Sequence, residues 1–335
     1  MPASTPPKTS LVFRHGQRTS HHNLKLATEP TPTIDAHQVL VKIRAVALNY
    51  RDIGIANSTY PFPIKDDVVP FHVGDRVIAN FDVNHFYGPQ PDYLHRLGGP
   101  IDGVLREYVA LPATALFPAD CKLSFPQMAS LVCTGTTVWN ALYGNMPLKP
   151  GHTVLFQGTG GVSITGLMFA KAAGATTILT SSSDEKLRMV QTKFGGADHT
   201  INYKTTPDWA AEVLKITDGR GVDFILENGG SGTIKQSIDA ITPGGVIAVI
   251  GFLAQAAQED MPDVATLALV KQCVVRGIAV GSKQLLEDLV RFVVNKDLQP
   301  PVDKTFGFGY DDVLAAFDYV KQGNHVGKVC IELGN

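Results

Sequence analysis

The sequence predicts an α/β protein: a doubly wound, six-stranded parallel sheet beside a second, mainly-β domain. Three observations predict this. Between His152 and Ser282, short β-rich runs alternate with helix-like segments. The runs are almost continuously apolar, as strands are when both faces of a sheet are covered. A glycine-rich turn joins the first run to the first helix, as in dinucleotide-binding folds. A length of 335 residues leaves room for roughly two domains.

In chain order, the N-terminus MPASTPPKTS is polar and Pro-rich and reads as a short frayed tail, without the apolar core of a signal peptide. VLVKIRAVALN (39–49) alternates apolar and polar residues, the period of a half-buried strand. GDRVIANF (74–81) and EYVALP (107–112) are further strands. The long loop between them, 82–103, is a lid or wall, or else a solvated excursion. The parallel-sheet strands are TVLFQ from Thr153, TTILTS from Thr176, HTIN from His199, VDFILE from Val222, GVIAVIG from Gly245 and CVVRGIAVG from Cys273. A helix at 285–295, a break at Pro300 and Pro301, a helix at 311–322 and a last strand, GKVCIEL, close the chain.

Composition excludes several classes. The formal net charge is −2 and there is no long basic block, which argues against nucleic-acid and anionic-membrane surfaces. The longest apolar stretch, 246–254, falls far short of the roughly 20 residues of a membrane helix. Cys121, Cys133, Cys273 and Cys330 are scattered, without a CxxC pair, which suits a reducing compartment and a cytoplasmic default.

The glycine turn carries the most weight. In TVLFQGTGGVSITG, Gly158, Gly160 and Gly161 lie between strand and helix, with Ser163 where a third glycine often sits. Gly158 permits the tight turn, and Gly160 lets the backbone approach a pyrophosphate. The helix N-terminus offers N–H groups and a positive dipole end. The next strand selects the cofactor. Binders of NAD usually end it with an acid that holds the ribose 2′-OH. Here it ends in Ser181, followed by Ser182, Ser183 and Lys186, which suit a 2′-phosphate and therefore NADPH. Asp184 and Glu185 belong to the first turn of the following helix.

The sequence resembles the medium-chain dehydrogenase/reductase superfamily, in its zinc-independent, quinone-oxidoreductase-like and enoyl-reductase-like branches. The resemblance rests on LNYRDIGI, VGDRV, LGGPIDGVLREYVALP, CTGTTVWNALY, QGTGGVS, TSSSDEKL, GADHTINY, GFLA and HVGKVCIEL, in that order. It implies a GroES-like catalytic domain at 1–120 and 298–335 and a Rossmann NADPH-binding domain at 121–297. It also implies a nicotinamide in the cleft between them. By motif position, Thr137, Gly158, Gly160, Gly161, Val162, Ser181, Ser182, Lys186, Tyr203, Gly251 and Phe252 would line the cofactor. Relatives often dimerise through the last strand of the sheet, which implies a homodimer acting on a small-molecule substrate.

The resemblance also implies that no metal is held. Zinc-dependent members need a Cys, a Gly-His-Glu segment and a second Cys. Asn49 occupies the first Cys position, Gly-His-Glu does not occur, and Cys133 alone falls at the second. The histidines show no paired ligand spacing, and His21-His22 sits in a loop-like stretch. Reduction of an activated C=C, carbonyl or quinone is then the natural chemistry. Tyr60, spaced from the Asn49-to-Asp52 motif like the Tyr of enoyl-thioester reductases, is the candidate proton donor or substrate orienter. Asn49 would orient substrate or cofactor, and Asp52 would tie the turn. Tyr50 and Trp139 read as pocket wall or core.

One departure stands out. Relatives carry a longer segment between Pro70 and Val73-Gly74-Asp75-Arg76-Val77. Roughly 17 to 20 residues are missing, around two strands at about 5–6 residues each, so the GroES-like domain is shortened after Pro70. A genuine short variant with a wider cleft, a splice or gene-model product that folds poorly, and a protein that keeps the fold without turnover all fit. The alternatives to a reductase are a non-catalytic NADPH-binding protein and a shortened member that shapes a substrate without net hydride transfer.

Overall fold

The apolar runs of the middle region become the strands of one sheet. The computed structural model describes residues 6–15, 19–35, 38–50, 52–53, 74–119 and 121–334. The chain forms two compact units, Thr137–Val280 and the remainder on either side of it.

The first unit is mainly β. Strands β1 (Thr9–His15) and β2 (Leu24–Pro30) form an antiparallel hairpin. β3 (Gln38–Lys42) pairs with β6 (Tyr108–Pro112), and β5 (Val77–Ala79) with β7 (Leu116–Pro118). β4 (Ala45–Leu48) pairs antiparallel with β15 (Lys328–Glu332), and β15 pairs parallel with β14 (Val302–Phe306). The run expected as one strand, 39–49, is therefore two. The backbone changes partner at Ile43 and Arg44: Ile43 N–H donates to Glu107 O at 2.8 Å, while Arg44 O accepts from Leu333 N–H at 2.9 Å. The run at 74–81 keeps only the three residues of β5. Phe13, Leu24, Val109, Val329 and Ile331 share a core with Phe317 of the helix Tyr310–Lys321. The long loop is pinned rather than a loose excursion. Val83 is fully buried, Gln90 Nε2 donates to Asp82 Oδ2 at 2.5 Å, and Arg96 Nη2 donates to Gln90 Oε1 at 2.5 Å.

The helices α1 (Phe125–Ser130) and Lys283–Asn295 belong to this unit. α1 packs on β4 and β15, and Lys283–Asn295 packs on the turn that follows α1. These contacts outweigh the helices' nearness in sequence to the parallel sheet.

The second unit holds six parallel strands in the order β10-β9-β8-β11-β12-β13. They are β8 (Thr153–Gln157), β9 (Thr176–Ser181), β10 (His199–Asn202), β11 (Val222–Glu227), β12 (Ile241–Val249) and β13 (Val274–Gly277). The chain starts at the centre, moves outward through β9 and β10, returns to β11 beside β8 and moves outward the other way. The order reverses between β8 and β11, the switch point where doubly wound sheets bind ligands. All six residues of β11 are buried, which explains the lack of polar alternation. Helix α3 (Gly161–Ala172), the next after α2 (Thr136–Tyr143), lies so close to the sheet that a Cβ on Gly166 would sit 2.5 Å from Phe156 Cε1. The last strand is shorter than the expected CVVRGIAVG, ending at Gly277. No helix of the described residues is long and apolar enough to cross a membrane.

Candidate functional site

In the second unit, parallel strands put all their carboxyl ends on one edge. That edge carries Gly158, Gly160, Gly161 and Val162 after β8, and Ser181, Ser182 and Lys186 at and after the end of β9. Tyr203 follows β10, and Gly251 and Phe252 follow β12. Thr137 is buried at the start of the helix Thr136–Tyr143.

Gly158 has φ +78°, and its N–H donates to Thr180 O at 2.9 Å, which closes the turn against β9. A Cβ on Gly158 or Gly160 would meet nothing within 4 Å, so the turn faces open space. No side chain of the described residues caps α3, which leaves the N–H groups of its first turn for an anion. These features fit a dinucleotide pyrophosphate. Ser163 does not supply the close approach of a third glycine. Its hydroxyl donates to Gln157 O at 2.7 Å and accepts from Asn228 Nδ2 at 3.2 Å, and Gly166 makes the tight helix–strand contact instead.

Ser181 is buried, and its Oγ accepts from Ser183 N–H at 3.2 Å. Ser183 caps the next helix, accepting from Lys186 N–H at 3.2 Å. Asp184 and Glu185 lie in that helix's first turn, and Asp184 Oδ1 accepts from Asn202 Nδ2 at 2.9 Å. Gly251 passes so near Asn228 that a Cβ would stand 2.4 Å from its carbonyl oxygen. Tyr203 and Phe252 are exposed.

Sequence reasoning missed Glu227, fully buried at the switch point. Its Oε1 accepts from Gly229 N–H at 2.8 Å, Gly230 N–H at 3.0 Å and Thr233 Oγ1 at 2.5 Å. Its Oε2 accepts from Gln157 Nε2 at 2.7 Å and from the Ser237 hydroxyl. With its lone pairs filled, this carboxylate shapes the loop after β11. The signal was a charged residue at the end of a run, VDFILE, whose last three residues before it are apolar.

In the first unit, Asn49 lines a cavity together with Leu48, Asp52, Val132 and Cys133. The backbone N–H of Asn49 donates to Asp52 Oδ2 at 2.6 Å, so Asp52 does tie this turn. Asn49 Oδ1 accepts from Lys328 Nζ at 2.9 Å and, over 3.4 Å, from Thr134 Oγ1. Lys328 also donates to Leu48 O. Burial pulls the Lys328 ammonium below the usual lysine range, against the attraction of Cys133, Cys330 and Asp52. Burial likewise pushes the Cys330 thiol up to about 11. Cys133 and Thr134 sit on a π-helical turn, Leu131–Gly135, a widened geometry frequent at functional sites. Tyr60, Pro70 and the shortened segment lie outside the described residues.

The histidines do converge once among the described residues: His21, His22 and Asp318 bring ligating atoms within 4.8 Å of one another. His21 Nε2 lies 2.9 Å from Asp318 Oδ1, a distance of 297 residues along the chain. Among the described residues the His21 Nδ1 is buried without a partner, whereas a metal-ligating imidazole almost always donates its other N–H to an acceptor. The cluster reads as a hydrogen-bonded tether between the β1–β2 hairpin and a C-terminal helix.

A family model described as zinc-binding dehydrogenase matches residues 161–295. The chain is 41% identical over 318 residues to a zinc-type alcohol dehydrogenase-like protein of Schizosaccharomyces pombe, covering 88% of this chain and 91% of that protein. The chain belongs to the medium-chain dehydrogenase/reductase superfamily. It is also 32% identical over 322 residues to a quinone oxidoreductase-like protein 2 homolog of Nematostella vectensis, covering 90% of this chain and 83% of that protein. A crystal structure of an NAD-dependent alcohol dehydrogenase superposes with a TM-score of 0.82 at 28% identity, over 97% of this chain and 100% of that one. As a superfamily member with relatives named as alcohol dehydrogenase-like and quinone oxidoreductase-like, the protein is an oxidoreductase.

Proposed function

We propose that the protein is an NADPH-dependent reductase of an activated C=C, carbonyl or quinone that works without zinc. The observation that carries this reading is the end of β9, where buried Ser181 replaces the acid that an NAD site uses. Ser181, Ser182 and Lys186 bring hydroxyls and a cation to a 2′-phosphate, and the neighbouring Asp184 is engaged by Asn202. NADPH, when bound, supplies the hydride. Gly158 to Val162 receive its pyrophosphate, and Gly251, Phe252, Tyr203 and Thr137 complete the cofactor site.

In the other unit, an amide stands where zinc would need a thiolate. The oxygen of Asn49 is already engaged by Lys328 and Thr134, so it has little left to offer a metal. Asn49 orients the substrate and Tyr60 supplies the proton. A homodimer through β13 is part of the reading. β13 is at the sheet edge, and the preceding helix, Val264–Lys271, exposes Leu269 and Val270.

The test is consumption of NADPH with a panel of enones and quinones, before and after treatment with 1,10-phenanthroline. Turnover that survives the chelator is expected. Turnover lost to the chelator and restored by zinc removes the metal-free reading. Cofactor binding without turnover on any of them favours a non-catalytic binding protein.

A further inference from the structure

We propose that Lys328 is a positioning residue: it fixes the Asn49 amide so that an N–H donor, not a carbonyl oxygen, faces a bound substrate. The inference rests on Asn49 being the substrate-orienting residue proposed above. An ammonium has three donors and no acceptor, so the amide atom 2.9 Å from Lys328 Nζ is the oxygen. Thr134 Oγ1 approaches the same oxygen at 3.4 Å. At the other end of the amide, Nδ2 donates to Ala47 O at 3.0 Å. A flipped amide would set NH2 against the ammonium and oxygen against oxygen, replacing attractions by repulsions at both ends.

Lys328 holds this arrangement because it cannot readily move. It is buried at the start of β15, a strand held between β4 and β14, and it also donates to Leu48 O. What Asn49 has left is its second Nδ2 proton, which has no hydrogen-bond partner among the described residues, and Asn49 lines the cavity of its unit. A donor backed by a buried cation suits an oxygen that gains negative charge on reduction. That suits quinones, carbonyls and carbonyl-conjugated alkenes, and among activated alkenes it excludes those whose activating group carries no oxygen.

The experiment uses the full chain, with asparagine side-chain amides labelled with 15N. Wild type, Lys328→Met, Asn49→Asp, Asn49→Ala and the double variant Lys328→Met/Asn49→Ala are compared. The Asn49 NH2 signals, identified by their loss in Asn49→Ala, should form one sharp pair in the wild type. In Lys328→Met they should double or broaden. A pair unchanged in Lys328→Met overturns the positioning role.

The same proteins are assayed with NADPH and 1,4-naphthoquinone. Lys328→Met should lower kcat about tenfold with the KM for NADPH unchanged. Asn49→Asp keeps an oxygen toward Lys328 but loses the donor, and should lower kcat about 100-fold. The double variant should be no slower than Asn49→Ala. An Asn49→Asp enzyme as fast as wild type, or losses that simply add, overturns the inference. If the wild type does not turn over while its Asn49 signals depend on Lys328, the proposed function falls and the positioning role stands.

Discussion

Each unit buries one charged side chain at its candidate site, and the two are held in opposite ways. Glu227 is surrounded by five donors, all from residues 157 to 237 of its own sheet and loops. Lys328 has two acceptors, both about 280 residues earlier in the chain. A buried carboxylate with its lone pairs filled has little left for a ligand and acts as a fastener. A buried ammonium resting on one carbonyl and one amide oxygen polarises what it touches. The cofactor unit thus presents a rigid edge, while the other unit presents a charge-backed amide.

Removing the fastener should have the largest effect. Glu227→Ala leaves backbone and hydroxyl donors buried without partners, and should cost at least about 3 kcal/mol in denaturant unfolding. A loss below about 1 kcal/mol would show that water replaces the carboxylate and would break the comparison. Gly166→Ala probes the same rigidity through packing. Its Cβ would meet the Phe156 ring, and a loss of about 1–3 kcal/mol is expected in the same assay.

Ser181→Asp tests the edge as a binding surface. It should weaken NADPH about tenfold or more, the equivalent of about 1.4 kcal/mol of repulsion, with the fold unchanged by circular dichroism. The smallest effect concerns Lys328 and pH. Its folded-state pKa is depressed, so the folded state gives up this proton more readily than the unfolded chain does. The desolvation cost of the charged form is felt fully below the folded pKa and shrinks as pH rises from there toward the ordinary lysine value. Wild type should therefore gain stability relative to Lys328→Met across that window, as read from paired melting curves.

The same contrast explains what the sequence could disclose. The second unit was legible because its signals are local: apolar runs of strand length, the turn Gly158 to Gly161, and a serine where an acid would stand. Four of its strands, beginning at Thr153, Thr176, His199 and Val222, end where the runs end. In the first unit, the run at 39–49 looked like one strand because period alone cannot show a change of partner at Ile43. Asn49 was singled out by its motif. Lys328 was not, because its role depends on β15 pairing with β4, and nothing near Lys328 in sequence reports that. Glu227 escaped for another reason: an acid ending a strand reads as solvent-facing until its donors are counted.

The proposed use of NADPH rests on the edge beyond β8 and β9, where Ser181 stands in place of an acid. Titrating the purified protein with NADPH and with NADH, followed by nicotinamide fluorescence, tests it most directly. Clear preference for NADPH, lost in Ser181→Asp, is expected. Equal binding of the two cofactors, or tighter NADH, would contradict it.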